Sequence, residues 1–512
     1  MIMWGRLDIS KHQNIRGGPE KNVGKQIGKA FGIKSECLLD FSSGDLPIYV
    51  GDTPRFARMY DAIRGVTPKS MAYCHPYFED AQRATLRHLG GMTNLEIIER
   101  ELDRAQIIPG ISPAMGDLME DTAAALGFQP ENPRQPYFVL CPPIHPNWLT
   151  YIGLRYGYGN IKSIKRGSDG NPDLEDAKRV FDLLDRPFVV ISVPDENPAG
   201  VCTPNNFYHN PERTGILDLM KDSPFKSIWI WDAIYQDFAW GNGADRKELR
   251  ESAKENGIRF MIMHSLSKVN LMPGLRIGGM AYLGPMDEVG TALCGYMRSR
   301  VDSYIANGVP SISLMPLIIA YSGDEDIERD KQGVLAEVRA NTERNESRLV
   351  KAGFPHFYPR AKLEAAFYGL QVPLIGSYEH VPWADQGYKQ RLVDRVEEQL
   401  LGSGQLENNK VSGPWKGFRT FASEFGISAS RAFAIELATH GVQVLAHDPF
   451  WPLFENDGVT RFRDGPKRPD GSMDGIAIRF VLAAPEEAMK RGIEIVKEVW
   501  EDGIAKFRTG RL

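Results

Sequence analysis

The chain has 512 residues, 42% of them hydrophobic and 25% charged, an ordinary globular balance, and that length exceeds one compact core and predicts two or more domains. Its net charge of −5 is spread with both signs interspersed, so neither a polyanion partner nor nucleic-acid binding is implied. Cys37, Cys74, Cys141, Cys202 and Cys294 are scattered, odd in number and without a CxxC pair; this argues against both a disulfide framework and a zinc site and suits a reducing cytoplasm.

In chain order, the start (Met1-Ile-Met-Trp-Gly-Arg-Leu-Asp8) loses its apolar character after four residues. No run approaches the roughly 20 apolar residues of a membrane span. Neither a signal peptide nor a membrane partner is therefore expected. Residues 1–36 read as an arm. Leu38–Phe41 is a short strand leading into the turn-rich loop Ser42-Ser-Gly44-Asp-Leu-Pro47. Residues 112–128 are the clearest helix, with Ser112 as N-cap, Pro113 at the first helical position and Gly127 as stop.

Apolar strands are expected at Tyr137–Cys141, Phe188–Val193, Ser227–Trp231 and Phe260–Met263, with helix-compatible segments between them. Strands that lack two-residue alternation and are separated by helices predict a parallel sheet covered on both faces. In such sheets ligands gather at the carboxyl ends of strands. Residues 325–352 predict a long charged helix joining two domains. Ala365–Pro373 and Ile476–Leu482 read as strands, and 485–507 as an amphipathic helix. Between them, 376–420 reads as an insertion: Lys389–Leu401 has helical spacing, while 402–404 and 408–414 look like flexible loop. Residues 455–475 are loop-like too.

The strand ends carry polar residues in unusual concentration. Val193-Pro-Asp-Glu-Asn197-Pro-Ala-Gly200 sets Asn197 before a proline, where the chain stays extended or turns. Trp231-Asp232-Ala-Ile-Tyr235 puts a carboxylate directly after an apolar strand. About one strand–helix–strand unit later comes Ser265-Leu-Ser267-Lys268, followed by Pro273-Gly-Leu-Arg276. Two hydroxyls and two cations at the end of a buried strand suggest an anion site beside a lysine. Such surroundings disfavour the ammonium form, which suits Schiff-base chemistry.

These motifs, in this order, resemble the fold-type I pyridoxal phosphate (PLP) enzymes, specifically the class I/II aminotransferases. The likeness rests on Asn197-Pro-Ala-Gly200, Asp232-Ala-Ile-Tyr235, Ser265-Leu-Ser-Lys268 with Pro273-Gly-Leu-Arg276-Ile-Gly278, and Ile478-Arg479-Phe480. It spans roughly residues 38–370 and 425–505. It implies an α/β fold: a large domain (51–325) around a mostly parallel sheet of the seven-stranded type. A smaller α/β domain (326–512, with the insertion) would complete it, together with residues 1–50, an N-terminal arm that also forms part of that domain.

The resemblance also assigns roles. Lys268 would be the Schiff-base lysine and the acid/base at the substrate α-carbon. Asp232 would keep the pyridine nitrogen protonated, and Tyr235 and Asn197 would bond the phenolic oxygen. Gly110-Ile111-Ser112, at a helix start, joins Ser265, Ser267 and Arg276 as the phosphate cup. Arg479 would clamp the substrate α-carboxylate, and Gly44 lies in the loop that passes over substrate. His145 or Trp148, in Cys141-Pro-Pro-Ile-His-Pro-Asn-Trp148, would stack on the ring, with His145 favoured. A homodimer is implied, with Tyr73 or Tyr77 reaching the partner's phosphate site. Arg298 and Arg300 fall where some relatives bind an acidic side chain, although an ordinary surface pair is the simpler reading.

The implied activity is amino-group transfer from an amino acid to a 2-oxo acid. The insertion and the His145 region keep an alternative open: elimination, replacement or carbon–carbon bond formation at the β or γ carbon, as in natural-product tailoring. A non-catalytic PLP-binding regulator is a further alternative, disfavoured by the intact lysine.

Overall fold

The computed structural model describes residues 23–42, 56–65, 78–129, 132, 134–192, 200, 215–240, 246–307, 311–373, 381–407, 409–447, 450–451, 456 and 476–509. Twelve strands are formed among them: β1 (Leu39–Asp40), β2 (Ala105–Ile108), β3 (Tyr137–Leu140), β4 (Ile161–Ser163), β5 (Phe188–Ser192), β6 (Ser227–Asp232), β7 (Phe260–Ser265), β8 (Gly278–Tyr282), β9 (Tyr368–Gln371), β10 (Val442–Gln443), β11 (Leu445–Ala446) and β12 (Ile478–Val481). The helices used below are α1 (Phe78–Gly90), α2 (Ile111–Ala125), α3 (Pro146–Tyr156), α4 (Glu288–Asn307), α5 (Leu314–Tyr321), α6 (Glu325–Lys351), α7 (Gln386–Gly402), α8 (Asn409–Phe425), α9 (Ala429–Thr439) and α10 (Glu486–Arg508).

The large sheet has seven strands in the order β2-β8-β7-β6-β5-β3-β4. Strands β3 to β7 run parallel, while β8 is antiparallel to both β7 and β2. The residues of β5, β6 and β7 are buried throughout, which is why their sequences show unbroken apolar runs rather than alternation. Each strand still sorts its side chains by face. Ile228, Ile230, Met261 and Met263 enter one core, and Trp229, Trp231, Phe260 and Ile262 enter the other. The expected α/β architecture, with a mostly parallel sheet covered on both faces, is present. There are also a smaller three-stranded antiparallel sheet, β11-β12-β9, and the parallel pair β1-β10; β10, β11 and β12 enter a second core, against which Leu39 of β1 packs. Because β1 pairs with β10, the two ends of the chain meet in that core.

On the face of β7 opposite Ser265, His264 is buried. Its Nδ1 is 2.9 Å from the Tyr321 hydroxyl and its Nε2 3.0 Å from Asp237 Oδ2. His88, on α1, stacks on Tyr321 with centroids 4.2 Å apart. Burial first, and then neighbouring His264, push the His88 imidazole down to about 3. Burial acts to raise the Asp237 carboxyl, but the hydrogen bond and charge of His264 outweigh it and hold it well below the usual carboxylate range.

The insertion departs from its expected form. Residues 409–425, read in part as flexible loop, form helix α8 with Pro414 inside it. Val411, Trp415 and Phe418 of α8 and Leu392, Val393, Val396 and Leu400 of α7 are buried in the smaller core beside Phe433 and Trp500. That apolar burial overrides the poor helix propensity of a Gly-Pro pair. The insertion is therefore part of the core rather than surface decoration. Helix α2 likewise starts at Ile111 with Gly110 as N-cap, not at Ser112. No helix among the described residues is long and apolar enough to cross a membrane, and Cys37, Cys141 and Cys294 are free thiols.

Trp415 is 1% exposed, so Trp415→Ala should destabilise the smaller core by about 3–5 kcal/mol. Urea unfolding followed by tryptophan emission measures this; a change within about 0.5 kcal/mol, as expected for surface sites, contradicts the packing described.

Candidate active site

The site residues arrive at the carboxyl ends of neighbouring strands. Asp232 is the last residue of β6 and pairs in register with Met263 of β7. It is 2% exposed, and a carboxylate there needs compensation. Trp148 Nε1 donates to Asp232 Oδ2 at 3.0 Å, and the Ile234 N–H donates to Oδ1 at 3.3 Å. Trp148 is thereby committed to Asp232. His145, the residue favoured for ring stacking, is half-buried at the N-cap of α3, where its Nδ1 accepts the Asn147 N–H at 3.3 Å.

Three residues past Asp232, Tyr235 is buried and its hydroxyl lies 3.2 Å from that of Tyr368. Burial, and then the nearby Tyr368 hydroxyl, push the Tyr235 phenol well above its usual range. Lys268 is half-buried, with Nζ 6.0 Å from the Tyr235 ring centre. Thus the lysine, the tyrosine and the carboxylate share one end of the sheet.

Beyond β7 the chain folds back through a tight loop, where Leu271 N–H donates to Lys268 O and Met272 N–H to Leu266 O. Ser265 Oγ bonds Ser267 Oγ at 3.0 Å and accepts the Ser267 N–H at 3.3 Å. Arg276 is exposed and left-handed, with φ 50°. Its guanidinium donates to Pro273 O and Pro109 O at 3.1 and 3.4 Å, which carries it to the start of α2. There Gly110 has φ 87°, and a Cβ on it would stand 3.0 Å from Arg276 Nη2. A helix start capped by a residue with no side chain, with an arginine drawn across it, is a cradle for a phosphate-sized anion. Ser112, relieved of capping, sits half-buried within the first turn of α2.

Arg479, on β12, is 3% exposed. It donates from Nη2 to Ser42 O at 2.6 Å, and its guanidinium carbon lies 4.3 Å from the Tyr368 ring centre and 5.3 Å from that of Phe450. Burial lowers its pKa. Tyr368 thus joins Arg479 to Tyr235. The motif glycine Gly200 accepts the N–H groups of Glu364 and Ala365, and a Cβ on it would meet Tyr368 O at 2.5 Å.

Three site residues escaped the sequence reading: Tyr368, Phe450 and Arg166. Arg166 is 6% exposed and donates to Cys141 O at 2.7 Å, Pro142 O at 3.0 Å and Gly170 O at 2.9 Å. Pro142 and Pro143 have no N–H, so the loop leading to His145 depends on outside donors to fix it; the double proline was the available signal. Ile144 N–H donates to Phe450 O at 3.0 Å, tying that loop to the segment beside Arg479. Among the other expected residues, Gly44, Tyr73, Tyr77 and Asn197 lie outside the described residues. Arg298 bonds Asp103, and Arg300 bonds Asp121, Asp117 and Glu120, so both have carboxylate partners within the chain.

The seven-stranded mixed sheet beside a small α/β unit is the architecture of the fold-type I PLP-dependent enzymes. Residues 124–363 match the family model described as aminotransferase class I and II. Similar solved structures include an aminotransferase from Escherichia coli (15% identity, TM-score 0.64, covering 96% of this chain and 97% of that one). They also include a double mutant of Thermus thermophilus aspartate aminotransferase (16%, 0.59, 93% and 96%) and an alanine aminotransferase from Pyrococcus furiosus (14%, 0.59, 94% and 97%). No curated protein matches the sequence significantly. The likeness to that family is thus carried by residues 124–363, and the solved structures show the same fold across the chain.

Trp148→Phe removes the indole donor from Asp232 with little change of shape. A hydrogen bond to a charged group contributes about 1.5–3 kcal/mol, so PLP should bind at least roughly tenfold more weakly with the far-UV circular dichroism unchanged. Fluorescence titration of the apoprotein measures this, and an unaltered affinity contradicts the coupling of Trp148 to the site.

Proposed function

We propose that the chain is a PLP-dependent enzyme that transfers the amino group of an amino acid to a 2-oxo acid. The observation that carries this reading is the convergence of Asp232, Tyr235 and Lys268 on one sheet end, between the Gly110–Arg276 cradle and Arg479. When bound, PLP supplies a carbonyl that condenses with amines and a ring that accepts the electron pair released at the substrate α-carbon.

The residues divide the work. Backbone N–H groups of α2, with Ser112, Ser265, Ser267 and Arg276, hold the phosphate. Asp232, anchored by Trp148, would hold the cofactor's ring nitrogen in its protonated form. Tyr235, with Asn197, donates toward the phenolic oxygen, and His145 covers the ring. Lys268 would be the residue that holds the cofactor covalently, and its amine would move a proton at the substrate α-carbon. Arg479 would receive the α-carboxylate. Its flanking rings restrict the approach to the open edge of the guanidinium, which favours a bidentate pairing. We further propose a cytoplasmic homodimer in which Tyr73 or Tyr77 reaches the partner's phosphate.

The half-reaction tests this directly. Supplying an amino-acid donor without an acceptor should convert bound PLP to pyridoxamine phosphate and release one equivalent of 2-oxo acid, and Lys268→Ala should lose turnover. If PLP is regenerated while the amino acid loses a β or γ substituent, transamination is wrong.

A further inference from the structure

We propose that His88, Asp237 and His264 form a binding site for a divalent transition metal of the zinc type, on the sheet face opposite the cofactor site. The ligand atoms are the imidazole nitrogens of the two histidines and a carboxylate oxygen of Asp237, and they lie within 4.8 Å of one another. Zinc ligands at about 2.0–2.1 Å from the ion sit roughly 3.3 Å apart, so closure on an ion needs side-chain shifts of about 1 Å.

Three independent elements bring the donors together. Asp237 follows β6, His264 lies on β7, and His88 comes from α1. Helix α1 reaches that close because Gly279, the β8 partner of His264, has no side chain. A Cβ there would stand 2.6 Å from Thr85 Oγ1, and Thr85 and His88 share a face of α1 by their spacing.

Two further observations point to a ligand. His88 Nε2 is buried and has no hydrogen-bond partner among the described residues, a costly state for a polar atom that a metal would relieve. On His264, the hydroxyl of Tyr321 engages Nδ1 at 2.9 Å. The His264 Nε2 bonds Asp237 Oδ2 at 3.0 Å, so an ion would take the place of the proton between them, with Tyr321 then accepting from Nδ1–H. Lys331, a nearby cation, is matched by Glu328 at 2.9 Å, and the Asp237 carboxylate, now bonded to His264, would balance the ion once the ion replaces the proton between them. The ligand set has two imidazoles and one carboxylate and no sulfur, which suits Zn²⁺ or Co²⁺ over Cu(I). The ion would join α1 to β7 and to the turn after Tyr235, and this role does not depend on the transamination proposed above.

The test uses the full PLP-loaded chain, purified without chelator and with any affinity tag removed. Elemental analysis should find one zinc-type ion per chain. After chelation, Co²⁺ should restore one site with the visible d–d absorption of a four- or five-coordinate ion, and His88→Gln should weaken Co²⁺ binding by about 100-fold. Absence of both retained metal and a d–d band overturns the proposal, as does undiminished Co²⁺ binding by His88→Gln. Should His88→Gln fail to fold, X-ray absorption on the zinc-loaded wild type decides: imidazole nitrogens and carboxylate oxygen support the site, and sulfur ligands or a shell without imidazole overturn it. Because each readout is metal binding, loss of transaminase activity with the metal present would fail the functional proposal alone.

Discussion

The arrangement depends on keeping one carboxylate charged in a dry place. Asp232 ends a strand whose neighbours are tryptophan, isoleucine and methionine, and it is 2% exposed. A carboxylate so placed needs partners to offset its lost hydration. The Trp148 indole and the Ile234 N–H supply hydrogen bonds, and a pyridinium nitrogen would supply the countercharge. Trp148 reaches it only because α3 starts where it does, after the proline loop that Arg166 grips. Removing Arg166 would leave the Cys141 and Pro142 carbonyls without that donor, so the carboxylate, the helix and the arginine form one mechanical unit.

A second chain of contacts runs the other way. Tyr235 bonds Tyr368, Tyr368 lies under Arg479, and Arg479 bonds Ser42. The aromatic pair therefore joins Tyr235 on the large domain to Arg479 on the small sheet. Phe450 makes a second link, from Arg479 to the proline loop through Ile144. A shift of the small sheet would be felt at Tyr235 through packed rings, which resist continuous deformation.

What was legible in the sequence follows the physics of each feature. Strands β5 to β7 were plain because burial on both faces leaves continuous apolar runs. Strands β2 and β4 span four and three residues, too short for any periodicity to show. Helix α8 was hidden by Gly413-Pro414, where local propensity points to loop and only tertiary burial of Trp415 reverses it. Helix α2 was found, but its start was set at Ser112 because serine is the better cap; Gly110 holds that place by its positive φ. Among site residues, Lys268, Asp232 and Arg276 were marked by motif and order. Trp148 and Asp232 are far apart in the chain, and Tyr368 and Phe450 are ordinary aromatics locally, so their roles exist only in three dimensions. The cysteine count spoke against a thiolate metal centre, but it carries no information about His88, Asp237 and His264, which come from three separate elements.

The central claim is that Lys268 is the residue to which PLP attaches. Borohydride reduction of the PLP-loaded chain, followed by proteolysis and mass spectrometry, tests it most directly. The account predicts a pyridoxyl adduct on the peptide that contains Lys268 and loss of that adduct in Lys268→Ala. An adduct on another lysine of the wild-type chain, with Lys268 unmodified, would contradict it.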